Sequence, residues 1–323
     1  MNRLKFEGKG FDYFKIQFIN VILTILSLSF LYPWAKVREL RYLCQNTSLA
    51  DSTLTFTGTI NEFFKGYLKT VFFIFVPLFV IGFCGGIATA LYKNTLFSGA
   101  IYSLTMLLAF CFSYFMMPIV LHGTLNYRLS NISWLSIIPK YRGKQSELFF
   151  IIFYGSLLTM ITAGIYKVWL QVKLTKYILK NIRFGSLKFD FSGDAKTLFF
   201  IYLKGFFLTL ITFGIYSIWF FKQIYEYSVN NIVVKKDDQE FKLLSNANPL
   251  EVFEMMVGNF LLIILTLGIG ASWAYIRYYK FIFEHCIIPA DFNINSIMEA
   301  QEAEEASISK QHWLDRWNPK FII

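Results

Sequence analysis

Charge is scarce in this chain of 323 residues: Asp, Glu, Lys and Arg make up 16% of it, against about a quarter in an average globular protein. Histidine is scarcer still. His122, His285 and His312 are the full set, with no HExxH and no paired ligand spacing, which argues against a metal centre. The four cysteines, Cys44, Cys84, Cys111 and Cys286, are scattered, with neither a CxxC pair nor the spacing of a disulfide framework. The glycines at 82, 85 and 86 follow Pro77 inside an apolar stretch with no Lys-Ser/Thr after them, so they form no phosphate loop. They suit close helix packing or a kink. No cofactor motif is present.

What replaces charge is apolar surface. Hydrophobic residues are 55% of the chain and aromatics 20%, with 37 phenylalanines. Six stretches, 14–32, 71–91, 99–121, 148–166, 198–216 and 253–273, are long and apolar enough to read as membrane helices. The first is longer than the apolar core of a signal peptide and lacks a small-residue cleavage pattern, so it is expected to be retained. The middles of all six hold no ionisable side chain; Lys15, Lys69 and Lys204 lie near their ends. Membrane enzymes and proton-coupled carriers keep such groups deep in their spans, which argues against both. The net charge of +10 comes from cations flanking the apolar stretches. That is where the positive-inside preference and anionic headgroups place them. Membrane lipids with anionic headgroups are therefore the expected partner. No nucleic-acid-binding motif occurs.

The stretches also resemble one another. SLSFLYPWAKVRELRYLCQN, TAGIYKVWLQVKLTKYILKN, TFGIYSIWFFKQIYEYSVNN and TLGIGASWAYIRYYKFIFEH align on Trp34, Trp169, Trp219 and Trp273. Ser27, Thr162, Thr212 and Thr266 stand seven residues earlier, and Gly8, Gly143, Gly193 and Ala247 nineteen before those. A fifth, degenerate copy opens at Phe56-Thr57-Gly58, closes on Tyr127 and Asn131, and carries 35 extra residues between. The chain thus reads as about five units, roughly 4–46, 54–131, 141–181, 187–231 and 241–285, in a membrane domain 1–298 with a polar tail 299–323. Each unit is expected to hold a short strand or hairpin, an apolar helix, a break and an amphipathic interfacial helix. The clearest helix start is Asn248-Pro249-Leu250-Glu251, in capping-box order.

On the amphipathic helix, the tryptophan and the positions four, eight and twelve residues on share one slowly drifting stripe. Position four holds Arg38, Lys173, Gln223 and Arg277; position eight Tyr42, Tyr177, Tyr227 and Phe281; position twelve Asn46, Asn181, Asn231 and His285. A cation between two rings can make cation–π contacts. Trp, Tyr and Lys/Arg together are what the headgroup layer selects. The terminal asparagines suit left-handed helix caps. Interfacial anchoring and packing account for the stripe; a surface for an anionic ligand is the functional alternative.

FEGKGFDYFKI, LYPWAKVRELRYLCQNT and TFTG resemble the YjgN-type bacterial inner-membrane family, a domain of unknown function, from about Leu4 to Pro289. Trp34-Ala35-Lys36-Val37-Arg38 with Arg41, Tyr42 and Asn46 is the most specific part. The family's glycine before this segment is kept as Gly164, Gly214 and Gly268 but is absent from the first unit, which has Ser27-Leu28-Ser29-Phe30-Leu31. The resemblance implies a multi-pass protein of the bacterial inner membrane and no activity. A non-enzymatic scaffold contacting lipid or a protein partner is the expectation, with a transporter or channel as the alternative, since broken helices in repeated folds can line binding sites. Two topologies remain open: six full crossings, or two crossings at 72–91 and 100–121 with the other runs turning back at their breaks.

Overall fold

The computed structural model describes residues 4–50, 52–91, 95–236 and 239–289; the polar tail 299–323 lies outside them. The described residues are mainly helical, with ten helices. Eight of them form four pairs of identical lengths, 17 residues followed by 14. These are α1 Gly10–Leu26 with α2 Tyr32–Gln45, α5 Gln145–Ile161 with α6 Lys167–Lys180, α7 Ala195–Ile211 with α8 Ser217–Asn230, and α9 Pro249–Leu265 with α10 Ala271–Glu284. The remaining pair is far longer: α3 Ile60–Leu91 has 32 residues and α4 Thr95–Ser130 has 36.

Only α3 and α4, among the described residues, are long and apolar enough to cross a membrane. At 1.5 Å per residue they run to about 48 and 54 Å. Just 6% of each apolar window is buried, so neither is the core helix of a soluble protein. The other four apolar stretches, read as spans from hydropathy, are not continuous helices. Each is a 17-residue helix of about 25 Å that ends at a tight reversal and returns as its 14-residue partner. Hydropathy misses the reversal because the turn residues are themselves apolar: Leu28, Phe213 and Leu267 are more than nine-tenths exposed at the tips.

Short antiparallel strands close each pair at its opposite end. β1 (Leu4–Phe6) pairs with β2 (Thr47–Leu49), β4 (Thr55–Phe56) with β5 (Ile132–Ser133), and β6 (Lys140–Tyr141) with β7 (Ile182–Phe184). β8 (Leu187–Phe191) likewise pairs with β9 (Ile232–Lys236), and β11 (Leu244–Ser245) with β12 (Cys286–Ile287). The register recurs: Phe6 faces Thr47, Phe56 faces Ile132, Tyr141 faces Ile182 and Phe191 faces Ile232. With β3 (Ser52–Thr53) and β10 (Gln239–Lys242) added, the largest sheet has order β10-β9-β8-β7-β6. A Gly-Ser pair and a Lys-Asp-Asp run are natural hairpin turns in the sequence: Gly185, at φ +56, makes the β7–β8 turn, and of the second, at 236–238, residues 237 and 238 lie outside the described residues.

The helices pack in chain order, each on the next, and α10 returns to pack on α1. Beneath them the strand segments from all the pairs share one apolar cluster of Trp134, Ile137, Leu187 and Val234, with Leu49, Phe184, Phe241 and Ile288 against it. The hairpins therefore rise from a common strand base, and the long one extends beyond the rest.

Candidate functional site

At the base, a tyrosine eight residues after the tryptophan position locks helix start to helix end in four of the five hairpins. The Tyr42 hydroxyl accepts from the Lys9 amide at 2.8 Å and donates to the Lys9 carbonyl at 2.9 Å. Tyr177 does the same to Lys144, both at 2.8 Å. Tyr227 donates to the Asp194 carbonyl at 2.8 Å, and Tyr127 to that of Thr59 at 3.3 Å. Lys9, Lys144 and Asp194 are the N-caps of α1, α5 and α7, so the Tyr42 and Tyr177 hydroxyls meet cap amides that a helix start leaves open, and all four tyrosines add a second donor to a carbonyl that already accepts from the helix. The glycine just before each cap lets the chain pass close: at Gly193 a side chain would collide with Phe191 and the Tyr227 hydroxyl.

The asparagines are not left-handed caps. Asn46, Asn181 and Asn231 have φ of −98°, −94° and −97°. Each side-chain amide instead donates to the carbonyl four residues back, at 2.8 Å in all three. Their own carbonyls accept from the strand opposite: Glu7 to Asn46, Arg142 to Asn181 and Ser192 to Asn231, each at 2.9 Å. The asparagine's task is to hand the helix end to the strand pair, which a left-handed φ would misdirect. His285 stands in its place in the last pair, with Nδ1 2.9 Å from the Phe281 carbonyl and Nε2 2.7 Å from Glu251.

Left-handed backbone recurs from hairpin to hairpin at the opposite end, in the turns. Gly164, Gly214 and Gly268 have φ of +94°, +94° and +92°, a region that penalises any Cβ. Ser29 takes this place in the first turn at φ +69°. The recurring hydroxyl starts the second helix: Oγ of Ser27, Thr162, Thr212 and Thr266 accepts from the amide four residues on, at 2.9, 3.0, 2.9 and 2.7 Å.

The stripe itself is less uniform. Arg38 lies over the Trp34 ring, 5.2 Å from its centroid. Lys173 reaches back to Tyr166 instead, 5.4 Å above the ring and 2.7 Å from its hydroxyl, and Gln223 donates to the Tyr216 hydroxyl at 3.2 Å. Arg277, expected beside Trp273 or Phe281, makes no cation–π contact among the described residues; Nη1 lies over Gly258. Trp273 is turned away, stacked on Phe14 at 5.0 Å, as Trp169 packs on Phe199 at 5.3 Å. These tryptophans serve contacts to the following hairpin. Trp219 stacks on Tyr216, Phe281 is buried against Tyr225, and Arg41 is exposed near Tyr127. The stripe does not converge on one site.

Two features went unread in the sequence. Lys140, Arg183, Lys188 and Lys235 are opposed in register across the five-stranded sheet, a row of cations closed by Glu240; only the strand pairing reveals it. The other is a cleft of about 610 Å³ between α2, α3, α4 and the start of α5, with Lys36, His122 and Arg128 among its walls.

A 76-residue stretch is 36% identical to inner membrane protein YjgN of Escherichia coli (strain K12), covering 24% of this chain and 19% of that protein. A 73-residue stretch is 36% identical to inner membrane protein YjgN of Salmonella typhimurium, covering 23% and 18%. The chain thus matches about a fifth of the length of these curated relatives. No solved structure matches. The profile of a bacterial protein family of unknown function, DUF898, matches residues 1–206 and 220–312, and the chain belongs to that family.

Proposed function

We propose that this protein is a non-catalytic, multi-pass scaffold of the bacterial inner membrane, built from five repeated helical hairpins that contact anionic lipid. The long hairpin α3–α4 crosses the bilayer. The four short hairpins enter it and turn back, each delivering an apolar tip. The observation that carries this reading is the polarity of the hairpins: Leu28, Phe213 and Leu267 stand exposed at the tips, while Lys140, Arg183, Lys188 and Lys235 line up at the strand base. In water the tips would form exposed apolar patches. In a bilayer they are buried, and the base cations meet the headgroups. Like charges directly opposed across strands are destabilising, so an anionic surface facing the row offsets a cost that water alone leaves in place. The recurring strand register and helix lengths support the repeat.

Single cysteines at Ser186 in the base and at Ala163 and Phe213 in the tips test this in membrane vesicles of both orientations. The base should label with an impermeant maleimide from one side only, and the tips from neither. A tip that labels from the side opposite the base is a full crossing and overturns the turned-back arrangement.

A further inference from the structure

At the level where their helices meet, four of the five hairpins are bridged by a side chain of one helix on the other; the first also keeps a groove of about 250 Å³ beside that bridge, and the long hairpin has the larger cleft of about 610 Å³. In the first, the Asn20 amide donates to the Ala35 carbonyl at 3.1 Å, and in the last Asn259 does the same to Ala274 at 3.2 Å. Where the first helix has glycine the second supplies bulk, Leu170 against Gly155 and Phe220 against Gly205. The pair in register in the long hairpin is Thr70 and Val120, and both line the 610 Å³ cleft. Further along, Gly85 packs directly on Thr105, so the helices part only at this lower level. We propose that the cleft binds an amphiphile with an anionic phosphate headgroup, its head at Arg128 and its chain along Val120 and Gly66.

The residues around the cleft depart from their counterparts in a consistent way. Gly66 stands where the other hairpins have Ile16, Ile151, Ile201 and Met255, and Gly123 where they have Arg38, Lys173, Gln223 and Arg277. A Cβ at either glycine meets nothing within 4 Å. Close packing does not demand these glycines; what they do is leave room. His122 replaces Val37, Val172, Lys222 and Ile276, and Arg128 replaces Leu43, Ile178, Ser228 and Ile282. Nδ1 of His122 is buried without a partner, an arrangement with a cost unless a ligand or water meets it. Arg128 makes no hydrogen bond or ion pair among the described residues, whereas Lys36 is paired with Glu39 at 2.8 Å; Glu62, at the same wall, keeps its negative charge and touches the Thr59 amide at 3.5 Å. Arg128 is therefore the wall cation left to meet an anionic group. Gln145, the first residue of α5, adds a helix N-terminus to the wall, which also favours an anion. The volume falls within the range of ligand sites, and the apolar walls open on the hairpin that crosses the membrane.

The proposal rests on the membrane reading of α3 and α4 and is independent of the scaffold role. Its test uses the full chain purified in detergent and a tail-labelled phosphatidylglycerol as the probe. Binding should saturate, be displaced by unlabelled phosphatidylglycerol, and resist phosphatidylcholine and inorganic phosphate at the same concentration. Arg128→Gln should weaken it about tenfold, as loss of one charge-assisted contact does, and Gly123→Leu should block it by filling the cleft. Lys167→Gln, outside the cleft, should leave it unchanged. Circular dichroism checks that each variant folds, and Arg128→Gln decides if Gly123→Leu does not. Absence of saturable binding, equal displacement by phosphatidylcholine, or full affinity in Arg128→Gln overturns the site. Displacement by inorganic phosphate at that concentration makes the ligand free phosphate and overturns the amphiphile. Vesicle labelling of tips and base is read separately, so failure of the membrane topology and failure of the cleft are told apart.

Discussion

The four short hairpins and the long one share a base and differ in everything above it. At the base, strand register, tyrosine lock and asparagine bridge recur in the long hairpin, where Asn131 donates to the Tyr127 carbonyl at 2.9 Å and Tyr127 reaches Thr59. Above it, the short hairpins reverse through a left-handed turn after 17 residues, whereas α3 runs on to Leu91. The same frame thus holds either a short reversing hairpin or one long and apolar enough to cross a membrane. The choice lies in the turn: the long hairpin has Pro77 where the others place Ser27, Thr162, Thr212 and Thr266, so it lacks the hydroxyl that starts the returning helix.

The largest effect expected from this difference comes from removing it. The long hairpin has 35 more residues between its paired strands than the first has, and deleting residues 78–112 would bring it to the common length. The shortened chain should keep its strand base and lose both membrane crossings. More than half of it should then become extractable from membranes by alkaline carbonate, measured by immunoblot of pellet and supernatant. Full retention in the pellet would mean that the short hairpins hold the protein in the bilayer unaided.

Next in size is the turn. Valine in place of Gly214, at φ +94°, forces a β-branched residue into a region that costs about 1–3 kcal/mol, and the tip has no packed neighbours to compensate. The thermal midpoint of the detergent-solubilised protein should fall, and by similar amounts for Gly164→Val and Gly268→Val. A midpoint unchanged in all three would show that the hairpin does not depend on its turn.

Much of this frame was legible in the sequence because it is local. Thr212 is both donor and acceptor within one helical turn, and Asn248 to Glu251 forms the capping box its spelling announces. The asparagine caps were misread because their geometry is decided by a strand some forty residues away: a terminal Asn looks the same whether it ends the chain's direction or hands it across. The reversal of the short hairpins is hidden for a related reason, since a turn made of leucine, phenylalanine and glycine carries no polar signal. Contact of α10 with α1, and the cation row across the sheet, needed the tertiary pairing. The cleft, by contrast, leaves a trace in the sequence. Gly66, His122, Gly123 and Arg128 are visible as departures once the enlarged unit is aligned residue by residue with the others.

A smaller effect tests the tyrosine lock. Tyr177→Phe removes the only side-chain partner, among the described residues, of the Lys144 amide and carbonyl and should cost about 1 kcal/mol, the net worth of a typical hydrogen bond. The last hairpin supplies the control. It has Phe281 at this position, and its Asn248 amide is met by Glu251 at 3.3 Å instead, so Phe281→Tyr should add no stability. Equal responses in the two hairpins would mean that the hydroxyl does not act at the cap. Cys286, in β12 of that same base, is buried, and burial pushes its thiol up to about 11. At pH 8 it should therefore label with a thiol reagent only as fast as the base opens.

The smallest effect has the opposite sign and concerns Ser29. It alone among the four turns carries a side chain at the position where the others have glycine, at φ +69°. Replacing it by glycine relieves left-handed strain of about 1 kcal/mol or more and adds roughly 0.5–1 kcal/mol of unfolded-state entropy that folding must remove. The serine hydroxyl has no hydrogen bond among the described residues to lose, and the Ser29 carbonyl, which accepts from the Tyr67 hydroxyl at 3.0 Å, stays in place. The balance favours glycine by a few tenths of a kcal/mol, so Ser29→Gly should raise the thermal midpoint slightly where Gly214→Ser lowers it. A fall on Ser29→Gly would mean that this turn is held by the α3 contact at Tyr67 in a shape the other three do not share, and that the first hairpin leans on the crossing one.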